Sequence, residues 1–259
     1  MCYYNECKVT RAEFIRLLAI EKELKNLQLN RPAQSGFDYR DWPILVPVEG
    51  GKDFEIKNVH WEYIPAFIHD ETDLAEARKM NTWLNAKSEN LLINDKGKAS
   101  MYRQGALQGR CLVLSSGFYE WRHIQKIGKK GKPIKATEAI PYRITLKGRP
   151  EYFFMAGVSR VWTNQGRGAS ALTFAIVTTE ANDLMKRIHN KKQRMPTILP
   201  AALAAEWIQE GLSEKRIKEI ASYQLPAEQM EAWTVARDFI KTIDPSKEVA
   251  YAEIPPLYE

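Results

Sequence analysis

Arg110-Cys-Leu-Val-Leu-Ser-Ser-Gly-Phe-Tyr-Glu-Trp121 decides the fold. Cys111-Leu-Val-Leu114 is a short apolar run and Phe118-Tyr-Glu-Trp121 is aromatic, and both compositions suit a pleated surface. Ser115-Ser116-Gly117 between them is turn chemistry, so the stretch predicts two successive strands. The same signature continues downstream: residues 142–146, 152–156 and 172–178 are β-branched and aromatic, and Ala232-Trp-Thr-Val-Ala236 is strand-like. Upstream, Ile44-Leu-Val-Pro-Val48 reads as a strand with Pro47 at an edge or bulge. Residues 54–64 alternate up to Pro65 and read as another strand.

Helical signals are shorter. Thr10-Arg-Ala-Glu13 is a capping box, and Phe14, Leu17, Leu18 and Leu24 follow at helical spacing, which predicts an amphipathic helix over 11–27. Further helices are expected over 73–80, over 98–107 with Gly109 as the stop, and from 180 to about 188 with Thr179 as the cap. Two more short helices are expected near 201–210 and 213–221. Ser88 or Asn85 can cap another short helix. Residues 32–41 read as a loop, and the Lys- and Gly-rich 125–135 as a solvated, flexible hairpin tip. No repeat, low-complexity tract or composition shift marks a linker, so one β-rich α+β domain over 1–259 is expected.

With 259 residues and 44% hydrophobic content, the chain can bury a sizeable core. A net charge of +6 favours a polyanionic partner without dictating one. The three cysteines, Cys2, Cys7 and Cys111, form neither a CxxC pair nor a zinc-like spacing with histidine. No metal or cofactor is expected, and a reducing cytoplasm fits. The first residues carry an acid at Glu6 and no apolar core, unlike a signal peptide. No run approaches the ~20 apolar residues of a membrane helix.

Four residues carry the chemistry. If Met1 is removed, Cys2 presents an amine and a thiol on adjacent carbons. That 1,2-aminothiol condenses with an aldehyde to a Schiff base, and the thiolate closes a five-membered thiazolidine intramolecularly. While Met1 is attached, the amine belongs to methionine and no such ring can form. Glu120, on the same strand face as Phe118, is a candidate general acid if burial raises its pKa; a strand-edge carboxylate facing water is the competing reading. His189 follows a helix at the mouth of a basic loop, where it suits proton transfer or a structural role. Asn85 can position a substrate oxygen or cap a helix. Lys87, Arg103, Arg110, Arg160, Lys186, Arg187, Lys191, Lys192 and Arg194 lie near these segments, and Tyr119 and Trp121 can stack on bases of a single strand.

In order, Met1-Cys2, Trp61 with Ile64-Pro65, Asn85-Ala-Lys-Ser-Glu89, Arg110-Cys-Leu112 running into Gly117-Phe-Tyr-Glu-Trp121, Thr178-Thr-Glu-Ala-Asn182, and His189 with Arg194-Met-Pro196 resemble the SOS-response-associated peptidase (SRAP) family, also called abasic-site processing proteins. The likeness covers roughly residues 1–200; the remainder matches loosely and is expected to pack on the core or extend it. It implies an SRAP-like fold, a mainly antiparallel, barrel-like sheet with short surrounding helices. It implies an autoprocessing peptidase that removes Met1 and then crosslinks Cys2 to the ring-opened aldehyde of an abasic site in single-stranded DNA, with lyase-type activity, in the DNA damage response. By position, Cys2 would be the nucleophile, and Asn85 would orient the amine or the sugar oxygen. Glu120 would open the sugar, and His189 would shuttle protons and hold a phosphate. Lys87, Arg103, Trp121, Thr178 and Arg194 would hold the strand. A monomer, nucleoid-associated when bound to DNA, is expected.

The chain departs from the family pattern in three places. Tyr3-Tyr4 replaces the usual Gly-Arg, which removes one phosphate-contacting arginine. Lys87 stands where an arginine is usual, a point charge in place of a planar fork. Asn190-Lys-Lys-Gln193 separates His189 from Arg194, where the family has one residue. Two other readings remain at this point: a non-covalent reader of modified DNA, and a cysteine peptidase acting on other proteins.

Overall fold

The computed structural model describes residues 2–10, 14–23, 29–48, 53–128, 132–251 and 254–257. In chain order the first strands are β1 (Tyr4–Lys8), β2 (Phe14–Leu17), β3 (Ile20–Glu23), β4 (Asn30–Ser35), β5 (Asp41–Pro47), β6 (Phe54–Trp61) and β7 (Asn85–Lys87). There follow β8 (Arg110–Ser115), β9 (Gly117–Ile127), β10 (Pro133–Leu146), β11 (Phe153–Asn164) and β12 (Ala169–Glu180). Short strands β13 (Arg194–Pro196), β14 (Ile198–Leu199) and β15 (Met230–Thr234) complete the set. The helices are α1 (Glu71–Arg78), α2 (Arg103–Gln108), α3 (Asp183–Ile188), α4 (Ala201–Trp207) and α5 (Glu214–Ala221). No described helix is long and apolar enough to cross a membrane.

Two sheets divide the work. One is antiparallel, in the order β15-β10-β9-β1-β4. In the other, β12-β6-β5-β8-β11 closes on itself because β11 also pairs β12. The ring is antiparallel except where β12 runs parallel to β6, and β7 adds to β12 in parallel. The expected α+β class with a barrel-like core and short helices is therefore what the chain adopts.

Ser116 is the joint between the sheets. β8 belongs to the barrel and has all six residues buried, whereas β9 belongs to the five-stranded sheet. Ser115-Ser116-Gly117 thus carries the chain from one layer to the next rather than closing a hairpin. The Ser116 N–H donates to the Glu6 carbonyl at 2.7 Å. A Cβ at position 117 would lie 2.8 Å from the Arg143 guanidinium, which explains the glycine.

Inside the barrel, Trp42, Trp61 and Phe174 pack in sequence, with ring centroids 5.7 and 6.4 Å apart. Each indole N–H keeps a partner: Trp42 donates to Leu114 O and Trp61 to Leu84 O. Fully buried aromatics of this kind contribute roughly 1.5–3 kcal/mol each.

Several local expectations need correction. The helix expected over 11–27 is, across its described part, the β2–β3 hairpin. Ile15 and Leu17 are buried on one face with period two, and Leu18 sits exposed in the turn with φ 55°. The leucine pair at 17 and 18 had imitated a helical stripe. Residues 11–13, which hold most of the capping box, and 24–28 lie outside the described residues. Half of the expected loop at 32–41 is strand, the end of β4 and the first residue of β5, with a 3-10 turn at Gly36–Asp38 between them. Pro32 is tolerated because β4 is an edge strand whose register with β1 slips beside it.

Thr179 does not cap a helix. β12 continues through Glu180 because β13 pairs with it, and Asn182 caps α3 by accepting from Met185 N at 2.9 Å. Of the helix expected over 98–107 only the second half forms, as α2. Asn85 lies in β7 and Ser88 opens a short 3-10 turn. In the Lys- and Gly-rich stretch, β9 and β10 extend the hairpin arms, and 129–131 lie outside the described residues.

Candidate active site

The site is built around the seat of the N-terminal strand. β1 is an interior strand, with Tyr4 opposite Tyr119, Asn5 opposite Phe118 and Glu6 opposite Gly117 on β9. A buried polar network holds it there. Glu6 is fully buried and pairs with Arg143 at 2.7 Å. It also accepts from the Tyr119 hydroxyl at 2.5 Å and from Ser116 Oγ at 3.2 Å. Against the burial that would raise it, the Arg143 bonds hold the Glu6 carboxyl below its ordinary range. Asn5 Oδ1 accepts from Ser115 Oγ at 2.6 Å. These bonds fix where the preceding residues lie.

Cys2 is fully buried, and its Sγ lies 3.8 Å from Tyr4 O. Burial pushes the thiol well above its ordinary pKa, and the nearby Glu120 charge acts in the same direction. Tyr3 is half-buried, with its ring 4.8 Å from that of Phe37. Its phenol is pushed up to about 12 by burial, with Glu120 and Cys2 adding to the shift. Tyr3 therefore lies within electrostatic reach of Glu120 and Cys2.

Glu120 and His189 meet inside. Glu120 Oε2 lies 3.6 Å from His189 Nε2, and both residues are buried. His189 Nδ1 lies 2.8 Å from Arg194 O. A carbonyl can only accept, so Nδ1 carries the proton and Nε2 of the neutral ring is bare toward Glu120. Burial lifts the Glu120 carboxyl to about 8 and depresses His189 to about 4. Near neutral pH the acid is protonated beside a neutral imidazole. The pair can deliver a proton and take it back, as a general acid–base device requires.

β7 brings Asn85 opposite Ile176 and Lys87 opposite Thr178 on β12. The Asn85 side chain is buried, and neither its Nδ2 nor its Oδ1 has a hydrogen-bond partner among the described residues. An unpartnered buried amide is costly, and such exceptions gather where a ligand completes the bonding. The Asn85 carbonyl accepts from Tyr102 OH at 3.2 Å, and Tyr102 lies within electrostatic reach of Tyr3.

The residues expected to hold a strand occupy different settings. Lys87 is exposed. Arg103 forms an ion pair with Glu214 at 2.5 Å. Arg194 is buried; it grips Glu89 and donates to Thr178 O at 2.6 Å and to Thr178 Oγ1 at 3.4 Å. Trp121 is half-buried, edge-on to Tyr4 at 4.9 Å and 5.9 Å from Phe239. Tyr119, expected to stack on bases, is instead fully buried and bonded to Glu6. Arg110 is also internal and donates to the carbonyls of Ala106, Leu107, Trp207 and Gln209. Sequence reasoning missed Tyr3, Tyr102 and the Glu6–Arg143 pair; only the departure at Tyr3 was a visible signal. Among the described residues no group of His, Cys, Asp and Glu could hold a metal ion.

Comparison with known proteins gives a consistent result. A family model described as SOS response associated peptidase (SRAP) matches residues 1–242. The chain is 28% identical over 193 residues to the abasic site processing protein YoqW of Bacillus subtilis, covering 74% of this chain and 75% of that one. It is 27% identical over 195 residues to the abasic site processing protein YedK of Escherichia coli, covering 75% and 73%. A crystal structure of a protein from Bacteroides thetaiotaomicron superposes with a TM-score of 0.67 at 29% identity, over 83% of this chain and 82% of that one.

Proposed function

The chain belongs to the SOS response associated peptidase (SRAP) family, and from that membership and the geometry of the site we propose that it traps abasic sites in single-stranded DNA as a covalent adduct on Cys2. Loss of Met1 frees the Cys2 amine. The amine attacks the aldehyde carbon of the ring-opened sugar and releases one water to leave an imine. The thiol then adds across the C=N bond: sulfur bonds to carbon, and the thiol proton passes to nitrogen. The product is a thiazolidine that shields the lesion.

The observation that carries this reading is the Glu120–His189 pair at 3.6 Å beside the first residues of β1. Glu120, protonated near neutral pH, donates to the ring oxygen to open the sugar and to the departing water. His189, through its bare Nε2, takes the proton lost by the C1 hydroxyl as the ring opens and passes it to the Glu120 carboxylate. Asn85 binds a sugar hydroxyl with the amide that lacks a protein partner. Lys87, Arg103, Trp121, Thr178 and Arg194 frame the strand, Arg194 chiefly as a buried brace. The new ammonium at Cys2 favours the thiolate that burial otherwise opposes.

Intact mass of the purified protein reports whether Met1 is gone. A denaturing gel with an abasic single-stranded oligonucleotide should show a band at the summed mass, absent for Cys2→Ala and slowed for Glu120→Gln. Salt-sensitive binding with no Cys2-dependent attachment would return the non-covalent reader.

A further inference from the structure

Asn190-Lys-Lys-Gln193 fills the gap between His189 and Arg194 without disturbing them. Gln193 N donates to His189 O at 2.8 Å, and Ala181 N donates to Gln193 O at 3.0 Å. Gln193 takes a positive φ of 50°, which turns the chain sharply back into β13. The extra residues are therefore expelled outward, and the His189–Arg194 bond at 2.8 Å survives.

The expelled loop is held in place. Asn190 accepts from His123 N at 3.0 Å and donates to His123 O at 2.8 Å. The amide thereby imitates a strand partner. At His123, β9 pairs β10 on one edge only, since its pairing with β1 ends at Tyr119. Asn190 occupies the other edge, three residues beyond Glu120 on the same strand. His189 points inward to Glu120 while Lys191 and Lys192 are exposed on the outer side of the same turn.

Among the described residues these two lysines, like Lys87, keep their charge unpaired. Arg194 is neutralised by Glu89, Arg103 by Glu214 and Lys186 by Asp183. Arg187 donates to Leu257 O. Among the described residues, neither Lys191 nor Lys192 makes an ion pair with a carboxylate. Both are felt by the site. Burial is the main reason His123 and His189 are depressed, and Lys191 adds to the first and Lys192 to the second.

We infer that the Asn190-clasped Lys191–Lys192 loop is a phosphodiester-binding ledge at the rim of the site, which supplies the backbone contact that Tyr4 does not. This rests on the reading of the protein as a single-strand binder. The clasp matters because a loop already ordered loses little freedom on binding. Lysine suits the task, as phosphate contacts position a strand without reading its bases.

The test uses the full chain and a labelled undamaged single-stranded oligonucleotide, with binding followed by anisotropy across a salt series. Lys191→Gln/Lys192→Gln should weaken binding roughly tenfold near 0.1 M salt and reduce the log–log salt slope by about 1.4, at ~0.7 per lost contact on a single strand. Lys147→Gln/Lys247→Gln removes the same charge elsewhere and should leave the slope close to that of the parent. An unchanged slope and affinity in the loop variant, or an equal drop in both variants, would overturn the ledge. Because the DNA is undamaged, this outcome is separate from covalent capture, which the parent protein's attachment to an abasic oligonucleotide measures on its own.

Discussion

Arg194 grips Glu89 through two N–H···O bonds of 2.9 Å each, across 105 positions of sequence. This fork ties the strand after His189 to the turn after Asn85, so two parts of the site share one brace. Arg194→Lys keeps the charge but loses the planar fork. Because the Glu89 side chain is about half exposed, the expected loss is modest, roughly 1 kcal/mol, with slower capture of abasic DNA. Thermal melting and a timed gel read the two effects separately.

Asn85→Ala should separate function from stability. It deletes a buried amide that has no partner among the described residues, so little protein bonding is lost. The melting temperature should stay level or rise, by up to about 1 kcal/mol in stability, while capture slows at least tenfold. A variant that melts markedly lower would show that the amide is structural.

Glu120 makes stability fall with rising pH. Its folded pKa, lifted to about 8 by burial, lies above the unfolded value of ~4.3. Between these values the folded state holds a proton that the unfolded chain has released. Each pH unit in that window therefore lowers stability, by up to ~1.4 kcal/mol. Glu120→Gln stays neutral throughout, so it should melt higher than the parent at pH 8 and close to it at pH 4.5. Capture by the parent should decline above about pH 8 as the acid ionises.

The Glu6–Arg143 pair predicts a non-additive pattern. Glu6→Leu alone leaves a nearly buried guanidinium without its carboxylate, at an expected cost of about 3–5 kcal/mol. Glu6→Leu with Arg143→Met removes both charges and should recover much of that stability. Capture should fall in the single variant beyond what its folded fraction explains, because Cys2 lies just before β1. A double-mutant cycle on melting and capture tests both statements.

The strands at 44–48 and 172–178, found largely within β5 and β12, were readable from sequence because apolar, β-branched runs of that length admit little else. The β2–β3 hairpin was not, because Leu18 at its turn imitates the next step of a helical stripe. Thr179 misled because β12 is lengthened by pairing with β13, a contact no local pattern shows. Within the site, Cys2, Glu120 and His189 were individually visible from their order and surroundings. Their convergence was not, since it depends on β1 being inserted beside β9 and on α3 ending against that strand. The ion pairing was hidden too. Arg103 and Arg194 pair with Glu214 and Glu89, contacts 111 and 105 positions apart in sequence, while the lysines of the outward loop have no carboxylate partner among the described residues.

The placement of β1 also sets an order of events during synthesis. Its partner on one side, β4, leaves the ribosome early, but β9 begins only at Gly117 and the His189 segment emerges later still. A nascent chain thus has no Glu120–His189 pair to act at Cys2. The first residues are made early but their surroundings are assembled last, so on the proposed function Cys2 would be armed only in a chain that has completed its sheets.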